Sequence, residues 1–351
     1  MPFQVLIAPL LIWGGLFQPP DRIAFADPQL GASVRQIYVT TSRLPGTEPI
    51  ANRVDRTAQV NFARFDVSIP STHRLGQIEW PDETADPATD FAVEGQNDLG
   101  SQDGLSRTLR QLPSNEVTAF VHKYSTTSSE ALYRYAQIGH DFEIDTLGVL
   151  FTWPSAGRPE AYVPDRDSVL FSHDPLADLL TDISRRANKD IVLLAHLLCT
   201  HRTMQVLRQL AVSGRRGVLN DLIPVVLLAP DIDPDIFRAE AEFGGDLPDP
   251  FIAMTHREDR AVNLSGFINI GRQKMGDLNS AEDMEGLGFV FFDFTALAAG
   301  SNRDHLVPFT SPDAISVLRE LVQSDRRGTP DLSKFTVGAD GIIRTSPADA
   351  S

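Results

Sequence analysis

The sequence predicts a mostly parallel α/β sheet covered by helices on both faces. Two observations carry this. Short, continuously apolar strand segments alternate with amphipathic helices over most of the chain, and one strand runs through a tight turn straight into a helix. At 351 residues the chain is long enough for one large α/β domain with an extension, or for two smaller domains.

Residues 1–22 form an apolar leader. Its run from Phe3 to Phe17 is too short for a membrane span, which needs about 20 residues, so stable membrane insertion is not expected. No Lys or Arg precedes the run and no clear small-x-small cleavage site follows it. Two readings stand, a degenerate export signal and a buried strand. The compartment, cell envelope or periplasm against cytoplasm, turns on which of them holds.

Residues 23–114 read as an extension with two strands. Residues 36–41 are β-branched and aromatic, and residues 60–67 alternate apolar with polar. The stretch 81–103 is acidic and rich in Asp, Gly and Pro, which predicts an exposed loop. The α/β core then spans 115–325, with strands at 117–121, 147–151, 191–195, 225–229, 251–255 and 289–294. Between the first two, Ala131, Leu132, Tyr135, Ala136, Gly139 and Phe142 fall at helical spacing. The next helix is expected to start at Asp174 as cap, with Pro175 in its first turn. A later one carries Met204, Leu207, Leu210 and Ala211 on one face, and a last one turns Ile315, Leu318 and Leu321 inward. Residues 326–351 read as a polar, loosely attached tail.

The net charge of −16 argues against a general nucleic-acid binder, since no basic cluster is available to neutralise phosphates. The single cysteine, Cys199, rules out an intramolecular disulfide and a cysteine-based zinc site. His201 has no partner at metal-ligand spacing, so neither a metal nor a cofactor is expected.

In sheets of this kind chemistry sits beyond the carboxyl ends of the strands. The sharpest segment there is Ile191-Val192-Leu193-Leu194-Ala195-His196-Leu197-Leu198-Cys199-Thr200. It has the layout of a nucleophile elbow of G-x-S-x-G type, in which small residues flank a nucleophile on a strained turn. Ala195 supplies the first small residue, Leu197 falls at the nucleophile, and Cys199 at the second small position.

With this segment stand Phe65-Asp66-Val67-Ser68-Ile69-Pro70, Ile78-Glu79-Trp80-Pro81, residues 131–141, Phe151-Thr152-Trp153-Pro154-Ser155 and Ala229-Pro230-Asp231-Ile232-Asp233. Together they make the chain, over about residues 35 to 320, resemble a group of bacterial α/β-hydrolase-fold proteins of uncharacterised function, similar to the esterase/lipase superfamily. The resemblance implies an acyl-ester hydrolase with a Ser–Asp–His triad in that order. Asp259 matches the acid and His305 the base, and Lys123 and Leu198 fall in the oxyanion region. A small-molecule ester or ester-like compound is the implied ligand; nothing in the sequence fixes the oligomeric state.

Three residues depart from the pattern. Leu197 has no proton to lose and no lone pair to attack with, and losing the serine of a triad costs about a million-fold in turnover. Lys123, in His122-Lys123-Tyr124-Ser125, stands where the family has glycine in a His-Gly-aromatic-Asn strand exit, and Cys199 replaces a glycine at the elbow. The expectation is a hydrolase whose activity is lost or much reduced, with a non-catalytic ligand- or partner-binding protein as the rival. A third reading is that the Leu197 and Lys123 differences are artificial, the parent being a working hydrolase. Cys199 as a substitute nucleophile lies two residues past the elbow, and its other reading is a small buried apolar residue. Asp231 and Asp233 read as caps of the helix near Pro234 rather than as site residues. Trp153, Pro154, Ser155 and Tyr162 read equally as pocket wall and as core.

Overall fold

Alternate residues of a strand point to opposite faces of a sheet, and the buried residues of this chain sort by that rule. Val149, Phe151, Val225 and Leu227 join one core cluster, while their neighbours Leu150, Val226 and Leu228 join a second. A sheet buried on both faces requires helices on both, which is why its strands are continuously apolar.

The computed structural model describes residues 22–44, 54–82, 84–244, 247–255, 275, 289–295, 306–316, 318–319, 335–338 and 341–345. In chain order the elements are β1 (Ser33–Arg43), β2 (Arg56–Ile69), β3 (Ala92–Asp98), α1 (Gln102–Gln111), β4 (Glu116–Val121), α2 (Ser128–Asp141), β5 (Leu147–Thr152), α3 (Tyr162–Phe171) and α4 (His173–Thr181). There follow β6 (Asp190–His196), α5 (Leu198–Val212), β7 (Leu222–Leu228), α6 (Pro234–Gly244), β8 (Phe251–Thr255), β9 (Phe289–Asp293), α7 (Val307–Thr310), β10 (Phe335–Val337) and β11 (Ile343–Thr345).

Among the described residues the strands form one sheet in the order β10-β11-β9-β8-β7-β6-β4-β5-β1-β2-β3. Neighbours from β11 to β1 run parallel; the β1–β2, β2–β3 and β10–β11 pairs are antiparallel. One face is covered by α4 and α5 through Leu176, Leu180, Leu207 and Leu210. The other is covered by α2 through Ala131, Leu132 and Tyr135, and by a helical segment at 312–316 through Ile315. Helix α2 starts where the Thr127 side chain accepts from the Glu130 N–H, a side-chain cap on an orphan donor.

The extension is continuous with the core sheet, because β1 pairs in parallel with β5 and carries β2 and β3 with it. Other expectations need correction. The stretch 81–103, read as a loop, holds β3 and the start of α1. Strand β3 is polar because the ladder to β2 holds one side, while only Ala92 and Val93 at its start are fully buried. Part of the polar tail is sheet: β11 extends the ladder beside β9, and Ile342 before it is buried. Asp174 does not cap α4; the cap position is Ser172, and Asp174 lies within the first turn, where its carboxylate accepts from Gln209 Nε2 at 3.1 Å. Ile315 and Leu318 are buried as expected, whereas Leu321 lies outside the described residues.

Candidate active site

Strand β6 passes into α5 through one residue, Leu197, with φ 51° and ψ −123°. A positive φ disfavours side-chain-bearing residues, and such strain costs about 1–3 kcal/mol. The turn is held from both directions. The Leu197 N–H donates to Leu228 O at 2.9 Å on the neighbouring strand. The Leu197 carbonyl accepts from the Thr200 N–H at 2.9 Å and the Thr200 hydroxyl at 2.6 Å. The Leu197 side chain is 1% exposed and belongs to the core cluster under α4 and α5. Leu198 is the first residue of α5, so its N–H is one of the donors a helix N-terminus leaves open.

Strand β4, next to β6, ends at Val121 and is followed by His122 and Lys123. His122 is buried and stacks on Trp153, ring centroids 5.1 Å apart and 7° from parallel. Its Nε2 accepts from the Trp153 N–H at 3.3 Å and lies 3.1 Å from the Thr152 hydroxyl. A backbone N–H can only donate, so the ring proton sits on Nδ1 and is given to Lys123 O at 2.8 Å. Burial first, and then the Arg43 cation, pushes the His122 pKa down to about 3. This ring is a neutral brace with both nitrogens engaged.

Cys199 reaches the same strand exit. Its thiol donates to His122 O at 2.9 Å, and Trp153 Nε1 donates to that oxygen at 3.1 Å. Burial pushes the thiol pKa far up, whereas a nucleophilic cysteine needs an accessible thiolate. Lys123 turns its ammonium toward the first turn of α2, 3.5 Å from Tyr124 O and 3.9 Å from Glu130 Oε1.

The structure therefore brings Lys123, Leu197, Leu198 and Cys199 together at the carboxyl ends of β4 and β6. Asp259 and His305 lie outside the described residues. Asp233 caps α6, accepting from the Asp235 N–H at 2.9 Å, and Asp231 is buried beside it. His201 pairs with Glu240 at 3.4 Å. Trp153 is core, 1% exposed.

Sequence reasoning missed a buried polar knot next to this exit. Asp165 accepts from the Ser125 N–H at 2.9 Å, the Ser155 hydroxyl at 2.7 Å and the Ala156 N–H at 2.7 Å. Arg43, fully buried, donates to Ser155 O at 3.1 Å, and burial lowers its pKa to about 9 against the pull of Asp165. An arginine closing the buried half of β1 was a readable signal; Asp165 on α3 offered none.

A strained strand-to-helix turn at the carboxyl edge of a parallel sheet agrees with the family comparison. Residues 98–324 match the family described as alpha/beta hydrolase of unknown function (DUF900). The chain belongs to this family. No protein of curated function matches it. Among solved structures this alpha/beta hydrolase is similar to Aspergillus fumigatus lipase B, at 13% identity and a TM-score of 0.42, over 64% of this chain and 55% of the lipase. It is also similar to an inhibited esterase B from Lactobacillus rhamnosis, at 13% identity, TM-score 0.40, over 73% and 89% of the two chains. A third is the Pyrobaculum calidifontis esterase, at 11% identity, TM-score 0.34, over 86% and 87%. Likenesses of this size carry no argument about chemistry.

Proposed function

We propose that this alpha/beta hydrolase descends from a serine hydrolase of small-molecule acyl esters, and that Leu197 occupies its nucleophile position, so hydrolysis through an acyl-enzyme is lost or much reduced. One observation carries the reading: the residue with the strained elbow geometry has a hydrocarbon side chain, buried in the core. Nearby groups do not replace it. The Thr200 hydroxyl is buried and bonded to Leu197 O, and the Cys199 thiol is buried and bonded to His122 O. Asp259 and His305 are proposed as the remaining acid and base; without a nucleophile they have nothing to deprotonate.

The test is labelling with a fluorophosphonate probe, together with turnover of short p-nitrophenyl esters. The wild-type chain is expected to take no probe and to leave the esters at the uncatalysed rate. Stoichiometric labelling of a serine would overturn the placement of the nucleophile.

A further inference from the structure

At the opposite end of the sheet, where α2 ends and the amino ends of β4 and β5 lie, a second group of chemistry-bearing side chains gathers. His73, in the turn after β2, lies between two carboxylates: Nδ1 is 2.7 Å from Glu79 Oε2 and Nε2 is 2.8 Å from Asp141 Oδ1. The other Asp141 oxygen accepts from the Gly76 N–H at 2.7 Å and from Gln137 Nε2 at 2.5 Å. His140 stands beside this row, its ring centroid 5.3 Å from that of His73 at 77°. Its imidazole makes no hydrogen bond with any described residue. One ligand atom from each of His73, His140 and Asp141 falls within 4.8 Å of the others.

We propose that His73 Nε2, Asp141 Oδ1 and a ring nitrogen of His140 form a binding site for one divalent transition cation of the zinc class. The donor set is right for it: two imidazoles and a carboxylate, with a fourth position open. Glu79 completes the arrangement, because a metal-bound histidine typically gives its other ring N–H to a carboxylate, which fixes the tautomer and the ring orientation. Ligand atoms about 2.1 Å from a tetrahedral zinc lie about 3.4 Å apart. The Nε2–Oδ1 pair must open slightly from 2.8 Å, and the half-buried His140 ring must close in.

Against burial, the hydrogen bonds to Asp141 and Glu79 raise the His73 pKa, so a cation at Nε2 competes with a proton there, whereas burial and then the His73 charge lower the His140 pKa. The Arg319 guanidinium is spent elsewhere, donating from Nε to the Asp141 backbone O at 2.8 Å and pairing with Glu143 at 3.0 Å. On binding, the cation takes the place of the proton that His73 Nε2 now shares with Asp141, and that proton leaves to solvent.

The experiment is calorimetric titration of the chelator-treated full chain with Zn²⁺, with the visible spectrum of the Co²⁺-loaded protein reporting geometry. The wild type is expected to bind about one ion per chain, with a tetrahedral Co²⁺ spectrum. Glu79→Gln should weaken binding about 10- to 100-fold, and His140→Ala by at least that much. His140→Ala breaks no hydrogen bond to a described residue, and circular dichroism checks that it folds. His173→Ala and His201→Ala, which remove the other His–carboxylate pairs among the described residues, should leave binding unchanged. No binding by the wild type, or equal binding by wild type and His140→Ala, would overturn the site and leave these residues as a hydrogen-bonded clamp.

Discussion

The two ends of the sheet differ in kind. At the carboxyl end the backbone has the sharp turn that a nucleophile elbow needs, yet Leu197 on it is hydrocarbon, and the His122 ring and the Cys199 thiol are held in hydrogen bonds. At the amino end the positive φ of Glu143, 52°, only ends α2, but His140 offers a nitrogen with no hydrogen bond to a described residue, beside a carboxylate and a second imidazole. Shape and reactivity are thus separable. The positive φ at Leu197 serves the strand-to-helix reversal. Reactivity follows open lone pairs and movable protons, which the fold alone does not supply.

The largest effect should come from giving the carboxyl end its missing atoms. Leu197→Ser alone should yield weak ester hydrolysis at most. Adding Lys123→Gly and Cys199→Gly should raise it by about 10²- to 10³-fold for a restored oxyanion donor, and His305→Ala in that background should abolish the gain. Circular dichroism must confirm folding, since Cys199→Gly also removes a buried thiol and its bond to His122 O. A folded triple variant that stays inert would break the reading of this end as a hydrolytic frame.

Next in size is the energy held in the turn. Leu197→Ala should destabilise the protein by about 2–5 kcal/mol in urea unfolding, as for other buried leucines. Leu197→Gly should be the milder change, by about 1 kcal/mol, because glycine tolerates the positive φ. The usual order, alanine above glycine, would show that the turn stores no strain.

Acid should then act on His122. Its folded pKa is depressed to about 3, while an unfolded histidine protonates near about 6.5. Below about pH 6.5 the unfolded chain binds the proton and the folded chain does not, so stability present at neutral pH falls by about 1.4 kcal/mol per pH unit. His122→Gln should flatten the unfolding midpoint between neutral pH and about pH 4; identical slopes would mean that His122 is not held neutral. The smallest effect concerns Cys199, which iodoacetamide should modify slowly in the folded protein and quickly in denaturant. Fast native alkylation that depends on His305 would restore a reactive centre to this end.

What the sequence disclosed, and what it hid, follows from the same distinction. The β6–α5 elbow was legible because five apolar residues, Ile191 to Ala195, run into a helical period without a loop. Strands β1 and β2 were legible through β-branching and alternation. Strand β3 was hidden because Glu94, Gln96, Asn97 and Asp98 make it polar, and its order comes from the ladder to β2. Helix α1 buries only Leu105, Ser106 and Leu109, too thin a stripe to read against Gly and Asp neighbours. The amino-end cluster was hidden for a different reason: His73 and Asp141 are 68 positions apart, and only the packing of the β2 turn on α2 brings them together.

The seam between β1 and β5 has a consequence for how the chain comes into being. Arg35, on β1, bonds to Ile144 O just before β5, a partner 109 positions downstream. The β1–β3 meander therefore leaves the ribosome well before the strand it must lie against. Until β5 arrives, the inner edge of β1 is an open row of N–H and C=O groups beside apolar residues. A chain begun near residue 115 would have the reverse defect, with β5 as a bare border of the sheet. The opening third of the molecule is the hem of the sheet, and a shortened version that drops it should be expected to associate with itself through β5.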